Sequence, residues 1–367
     1  MPTVLICMLP EAGHTIPAIK VARDLTQRGH KVIFLTCGKI RQELAELGFD
    51  ARTVFFESWP ELAECSLFKP VRPGLMYRSI AERLTHNLPV AFDAEVRALA
   101  IGVDADLVLL DGVCRGAIRR VHTDRFALAT LHVHLPYVFD QPPTADPVIY
   151  LSPIEFELPQ LVSDRAHYTE PSLFFSSNRE SQGENALLSN CAGGKIVYCS
   201  LGSRMAQYPR ASSFFQSMLD LVRHASRYYF ILNVGSWANE LVTSGNIPDN
   251  VKITASVRHS YVLPKSDVAI IHGGFGILKE CIYHGVPMIV YPQMWDQPMN
   301  AVRVEAHGLG LNWTDRSLQV SDLLSALNWI VDSEEVKERI GALQSIFRAS
   351  QIQPRTAELC ETIISRA

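Results

Sequence analysis

Residues 267–297, DVAIIHGGFGILKECIYHGVPMIVYPQMWDQ, decide how the rest of the chain is read. A short apolar run, 268–271, ends in His272-Gly273-Gly274, and Gly276 follows two residues later. A helix-like segment carrying Glu280 comes next, then a second apolar run, 286–291, closed by Pro292. Short apolar runs bounded by Gly and Pro read as buried strands, so the pattern is strand, glycine-rich turn, helix, strand. Glycines at the carboxyl end of a strand let backbone N–H groups approach an anion closely, and the following helix points its positive end at the same spot. Ligands of open α/β sheets bind at that edge. The alternative is an ordinary connection whose glycines serve only the backbone, and a glycine-rich turn alone does not separate the two.

Upstream the same alternation repeats. Residues 3–9 form an apolar run, 10–14 (PEAGH) a turn, and 16–28 a helix with Ile16, Ile19, Val21 and Leu25 at helical spacing, closed by Gly29. A strand at 30–36 and a helix at 40–47, stopped by Gly48, complete a βαβαβ opening. It lacks G-x-G-x-x-G after the first strand, so dinucleotide binding there is not supported; the turn offers the His14 side chain instead. Residues 56–97 lose the pattern, with Trp59, Phe68, Met76, Tyr77 and several prolines between helical pieces, a composition suited to a binding wall. Alternation resumes at 106–110, a strand ending in Asp111-Gly112, and again at 126–134, where His132 and His134 read as core or rim histidines more readily than as metal ligands. Asp104 and Asp106 precede their strand and read as a solvated turn.

Residues 176–194, SSNRESQGENALLSNCAGG, mark a linker. A second α/β unit starts at the strand 195–199, which runs into Ser200-Leu201-Gly202-Ser203. A helix at 214–224, strands at 229–234 and 251–254, the 267–297 unit, a helix at 300–307 and a helical tail from 321 follow. The expected organisation is α/β, with two doubly wound Rossmann-like domains enclosing a central cleft: 1–175, a linker 176–194, 195–350, and a C-terminal helix 351–367.

Size and composition agree with two soluble globular domains. The chain has 367 residues, of which 47% are hydrophobic and 20% charged. A net charge of −4 without a long basic run argues against nucleic acid or an anionic membrane as main partner. No apolar stretch approaches the roughly 18 residues of a membrane span, so no stable membrane insertion is expected. The eight cysteines are scattered with no C-x-x-C pair, which fits reduced thiols and a cytoplasmic location.

At these residues the chain resembles the family 1 glycosyltransferases of GT-B fold, which include bacterial macrolide-type enzymes and UDP-glycosyltransferases. Gly13-His14-x-x-Pro17 with Arg28-Gly29-His30-Lys31-Val32 is similar to the family's N-terminal signature. The strand ending in Asp111 is similar to the one that carries its aspartate, and Tyr198-Cys199-Ser200-Leu201-Gly202-Ser203 to its phosphate-side loop. The fullest match is His272-Gly273-Gly274-x-Gly276, Glu280, Gly285-Val286-Pro287, Pro292, Asp296-Gln297, Asn300 and Gly308-x-Gly310. The resemblance implies a first domain for the acceptor, a second for a nucleotide sugar, and a C-terminal helix that returns to the first. It implies His14 as the general base and Asp111 as the carboxylate orienting it, a pairing that suits a neutral imidazole. His272, Gly273, Gly274 and Gly276 would hold the donor diphosphate, with Gly202 and the hydroxyl of Ser200 or Ser203 on the facing loop. Glu280 would accept the ribose hydroxyls, which suggests UDP over dTDP, and Asp296 and Gln297 would bind the sugar. Acceptor contacts fall to Trp59, Phe68, Met76 and Tyr77. No metal and no cofactor beyond the co-substrate UDP-sugar is implied.

Three positions depart from the family pattern. Ser256 replaces a base-stacking aromatic residue, leaving Arg258 or His259 to compensate, and Ile277 replaces a hydroxyl residue at the phosphate site. The chain is also shorter than most relatives, chiefly in the acceptor domain and linker. The expected activity is inverting, metal-independent transfer of a hexosyl group, by default from UDP-glucose, to a hydroxyl of a small, largely apolar acceptor. The alternatives are a catalytically weak or inactive relative that binds a ligand or partner, and a UDP-sugar epimerase. Acceptor, sugar and oligomeric state are not encoded in any motif.

Overall fold

A computed structural model describes residues 1–54, 90–112, 125–135, 146–164, 166–175, 188, 194–205, 208–238, 247–314 and 316–366. The chain divides into two compact units. The first holds the described residues up to Phe174 together with residues 349–366, and the second those from Phe175 to Arg348.

The first unit is built on a parallel seven-stranded sheet of order β3-β2-β1-β4-β5-β6-β7. Its elements are β1 (Thr3–Cys7), α1 (Ala12–Gln27), β2 (Lys31–Thr36), α2 (Gly38–Glu46), β3 (Asp50–Thr53), α3 (Val90–Gly102), β4 (Leu107–Asp111), β5 (Ala127–His132), β6 (Val148–Tyr150) and β7 (Ala166–Tyr168). β1 and β4 are buried at every position, as expected of strands covered on both faces, which is why they read as unbroken apolar runs. Gly29 takes φ +92° and stops α1 in the left-handed turn that glycine enters without strain. Chain order runs outward from β1 to β2 and β3 on one side and resumes at β4 on the other, so the direction of winding reverses between β1 and β4.

The last helix of the chain, α10 (Arg355–Arg366), packs on α1 and β4 of this unit. Arg28 donates Nε–H to Glu361 Oε1 at 2.9 Å and Nη2–H to Oε2 at 2.6 Å, and His30 meets Glu361 at 2.9 Å. Buried Glu170 accepts the Thr356 N–H at 3.1 Å. The expected return of the terminal helix is therefore observed.

The second unit repeats the plan with a six-stranded parallel sheet of order β10-β9-β8-β11-β12-β13. It comprises β8 (Lys195–Ser200), α4 (Ala211–His224), β9 (Tyr228–Asn233), β10 (Val251–Thr254), α5 (His259–Val262), β11 (Val268–Ile271), α6 (Phe275–His284), β12 (Met288–Val290), α7 (Gln297–Ala306), β13 (Gly310–Asn312), α8 (Val320–Asp332) and α9 (Glu334–Gln351). Winding reverses here between β8 and β11.

Four helices, α1, α2, α4 and α7, start two to four residues earlier than the sequence reading places them. α1 begins at Ala12, so His14 lies in its first turn and not in the connection before it. The extended backbone of Glu11 lets its carbonyl accept the Thr15 N–H at 2.8 Å, which opens the helix ahead of Gly13 and Pro17. α7 begins at Gln297, not near residue 300, because Pro298 suits a helix's first turn. Five described cysteines, Cys7, Cys37, Cys199, Cys281 and Cys360, are buried thiols. Among the described residues no helix is long and apolar enough to cross a membrane.

Candidate functional site

Each unit gathers its sequence-marked residues at the carboxyl edge of its sheet, where the winding reverses. In the first, Asp111 is the last residue of β4 and fully buried, while His14 rises from the first turn after β1. His14 Nδ1 meets Asp111 Oδ2 at 2.7 Å. A carboxylate accepts, so Nδ1 carries the hydrogen and Nε2 is the basic nitrogen. The same Asp111 oxygen accepts the Leu9 N–H at 2.9 Å. The Leu9 carbonyl in turn accepts the Glu11 N–H at 2.7 Å and the Thr15 hydroxyl at 3.2 Å. Behind the pair, buried His132 packs so closely on Gly112 that any Cβ there would overlap its ring. That makes His132 a buttress of the Asp111-Gly112 turn, in keeping with its reading as a core histidine.

In the second unit, β11 delivers His272 into a cradle of glycines. A Cβ on Gly202 would lie 2.5 Å from the His272 ring, and one on Gly274 would overlap it. Gly273 takes φ +84° and would press a Cβ within 2.7 Å of Val290. Gly274 is the cap of α6, and Gly276 faces open space. Burial, reinforced by the neighbouring charge of His259 and opposed by a backbone hydrogen bond at Ser200, pushes the His272 imidazole down to about 3. His272 is thus neutral at any ordinary pH, and its buried Nδ1 has no hydrogen-bond partner within the protein. The arrangement can offer N–H donors to an anion but no positive charge from this histidine.

The other marked residues separate into those that face outward and those the fold consumes. Ser203 is exposed, whereas Ser200 is fully buried and its hydroxyl accepts the Gly202 N–H at 3.2 Å. Of the two serines only Ser203 presents its side chain. Glu280 is partly exposed on α6 and lies 3.4 Å from His259 Nδ1, which gives His259 a place beside the carboxylate assigned to ribose. Arg258 caps α5, Ser256 is exposed, and Ile277 is buried in the core beneath α6. Gln297 is buried: its Oε1 accepts the N–H groups of Gln293 and Met294 at 2.8 and 3.1 Å, and its Nε2 donates to Tyr208 Oη at 3.2 Å. Its carboxamide therefore closes the β12–α7 loop. Asp296 Oδ2 accepts from Asn300 Nδ2 at 2.8 Å, and the same amide donates to the Gly273 carbonyl at 2.8 Å.

Asn300, which the sequence marked only as a position of the resemblance, thus ties the loop after β12 to the glycine turn. The sequence reading passed over Tyr208, whose ring centroid lies 6.2 Å from that of His272, and Arg204 and Trp295, which meet each other from the loops after β8 and β12. Trp59, Phe68, Met76 and Tyr77 lie outside the described residues. Among the described residues there is no cluster of three or more His, Cys, Asp or Glu placed to hold a metal ion.

Several known proteins are similar to this chain. Residues 231–365 match the family model described as erythromycin biosynthesis protein CIII-like, C-terminal domain. The NDP-glycosyltransferase YjiC of Bacillus subtilis is 26% identical over 362 residues, covering 87% of this chain and 86% of that protein. Among solved structures, the glycosyltransferase of kitacinnamycin superposes with a TM-score of 0.76 at 20% identity, over 99% of both chains. The glycosyltransferase VinC in complex with dTDP superposes with a TM-score of 0.75 at 15% identity, over 100% of both chains.

Proposed function

We propose that this chain, which resembles the family 1 glycosyltransferases of GT-B fold in sequence and fold, transfers a hexosyl group from a nucleoside-diphosphate sugar to a hydroxyl of a small, largely apolar acceptor, with inversion and without a metal ion. The observation that carries the reading is the 2.7 Å pair of His14 and buried Asp111 at the winding reversal of the first sheet. A buried carboxylate on Nδ1 orients the ring and favours the imidazolium formed when Nε2 takes a proton.

The step balances as a single displacement. The acceptor hydroxyl gives its proton to His14 Nε2, and its oxygen forms a bond to the anomeric carbon. The bond from that carbon to the β-phosphate oxygen breaks, and its electron pair leaves on the diphosphate. Backbone N–H groups of the glycine turn, neutral His272, the Ser203 hydroxyl and the start of α6 are suited to receive that charge. Asp296 remains the carboxylate available to a sugar hydroxyl. Glu280 favours UDP, the default sugar being glucose, since a 2′-deoxyribose supplies one hydroxyl fewer. VinC, a solved structural relative, carries dTDP, so the nucleotide is the open choice within this reading.

Transfer from UDP- and dTDP-sugars to a panel of phenolic and polyketide acceptors tests it. Product is expected with wild type, preferentially from UDP-glucose, and not with His14→Ala. Equal inertness of both proteins while UDP still binds would replace this reading with a non-catalytic one. Release of an altered sugar without transfer would favour an epimerase.

A further inference from the structure

The loops that follow β8 and β12 meet across the end of β11. All three strands are parallel and adjacent in the order β8-β11-β12, so their following loops leave the same edge of the sheet. At ordinary strand spacing β8 and β12 stand roughly 10 Å apart, with the His272-Gly273-Gly274 turn between them. Two side-chain bridges nevertheless join the outer loops. The inner one is the buried hydrogen bond of Gln297 to Tyr208, whose ring centroid lies 6.2 Å from that of His272. The outer one is Arg204, whose guanidinium carbon sits 4.5 Å from the centroid of the Trp295 ring.

Trp295 is held in this position at a backbone cost. Its φ is +54°, a left-handed conformation that a bulky side chain rarely adopts, and the residue is 43% exposed. Strain of this kind persists where the surrounding structure enforces it, and it clusters at ligand sites. Folding alone does not call for an exposed indole on a strained residue. Presenting a flat face for a guanidinium does.

The charge requirement points the same way. His272 is neutral, and Ile277 brings no hydroxyl to the phosphate turn. A fixed cation in a water-poor setting would add to what the neutral donors of that turn offer a departing diphosphate. Arg204 lies two residues beyond Gly202, which touches the His272 ring. Burial pulls its guanidinium down to about 10, against the countering influence of Tyr208 and Asp296, so it stays charged throughout the neutral range.

We propose that Arg204, stacked on Trp295, spans the glycine turn and makes the ionic contact to the donor's diphosphate, compensating for the hydroxyl lost at Ile277. This rests on the donor-site reading given above. The planar guanidinium can hold two phosphate oxygens at once while its face stays on the indole, which a lysine cannot do.

Calorimetric titration separates the two ideas. Wild type, Arg204→Met, Arg204→Lys and Trp295→Leu would each be titrated with uridine, UMP and UDP, and with the thymidine series. Arg204→Met is expected to weaken diphosphate binding by about ten- to a hundredfold, the range for a hydrogen bond to a charged group, while nucleoside binding is unchanged. Arg204→Lys should recover part of the loss, and Trp295→Leu should reproduce part of it. Unaltered UDP binding by Arg204→Met would overturn the role of Arg204 and leave the donor site standing. So would an equal loss for nucleoside and diphosphate, the mark of a merely structural residue. Failure of wild type to bind any nucleoside diphosphate would remove the donor reading and this proposal with it. Thermal melting of each variant, with Arg204→Lys as the charge-preserving control, excludes misfolding as the source of a loss.

Discussion

The two winding reversals share a topology and differ in almost everything placed on it. At the β1/β4 reversal the functional atoms belong to side chains: an imidazole gripped by a buried carboxylate. At the β8/β11 reversal they belong largely to backbone, cleared by glycines, and the histidine there is packed between glycines and stripped of water. One histidine is held by a carboxylate, and the other is buried and neutral. The comparison teaches that burial by itself does not specify what a histidine does. In the proposed reaction the carboxylate on Nδ1 fits His14 to accept a proton, while His272 lacks a carboxylate partner and stays neutral.

The largest effect should come from breaking the first reversal. His14→Ala is expected to lower kcat by about 10²–10⁴-fold with nucleotide affinity intact, and Asp111→Asn to fall in the same direction by disturbing the tautomer. Initial rates and UDP titrations read the two quantities separately. Loss of nucleotide binding in His14→Ala would blur the division between the reversals.

Gly274→Ala is the matching blow to the second. Its φ of −58° suits alanine, so the overlap of the new methyl with the His272 ring acts alone. Overpacking of this kind costs about 1–3 kcal/mol, and diphosphate affinity should drop by about tenfold or more. Asn300→Ala comes next: it leaves the Gly273 carbonyl and Asp296 without their shared donor. An unsatisfied buried acceptor costs roughly 1–3 kcal/mol, to be seen as a lower midpoint in chemical denaturation.

The smallest effect concerns the helix that closes the first unit. Glu361 is held down to about 2 by hydrogen bonds from Arg28 and then His30. A carboxylate whose folded value is depressed contributes stability above its ordinary range near 4.5, and that contribution fades as pH falls through about 2. One third of the side chain is exposed, so solvent screening limits the effect to about 0.2–1 kcal/mol. Glu361→Gln should lower Tm slightly at pH 7 and match wild type near pH 2. An unchanged Tm at pH 7 would count against the bridge.

What could be read from residue order alone follows from how locally each feature is determined. Gly29, Gly48 and Gly285 mark helix ends because each requires a left-handed backbone, a property of the residue itself. The apolar runs of β1, β4, β8 and β11 announce strands buried on both faces. β6, β7 and β13 are three residues long, too short for any periodicity to declare them. In β13 the glycine of Gly308-x-Gly310 is not a loop signal, since a Cβ on Gly310 would collide with the Met288 carbonyl of the neighbouring strand. Site residues divide along the same line. His14, Asp111 and the glycine turn were legible as types at positions. That Ser200 and Gln297 turn inward, and that Arg204 meets Trp295 across β11, depends on which way a loop folds and on strands far apart in sequence.

Asp111 Oδ2 serves two donors at once, the His14 ring and the Leu9 amide at the exit of β1. The proposed base is thereby referenced to the sheet itself, through a peptide whose carbonyl is also secured by the start of α1. Under the proposed function, surface segments that choose an acceptor can be exchanged, lengthened or shortened in evolution without shifting the atom that takes the proton. A protein wired in this way can inherit its chemistry and improvise its substrate.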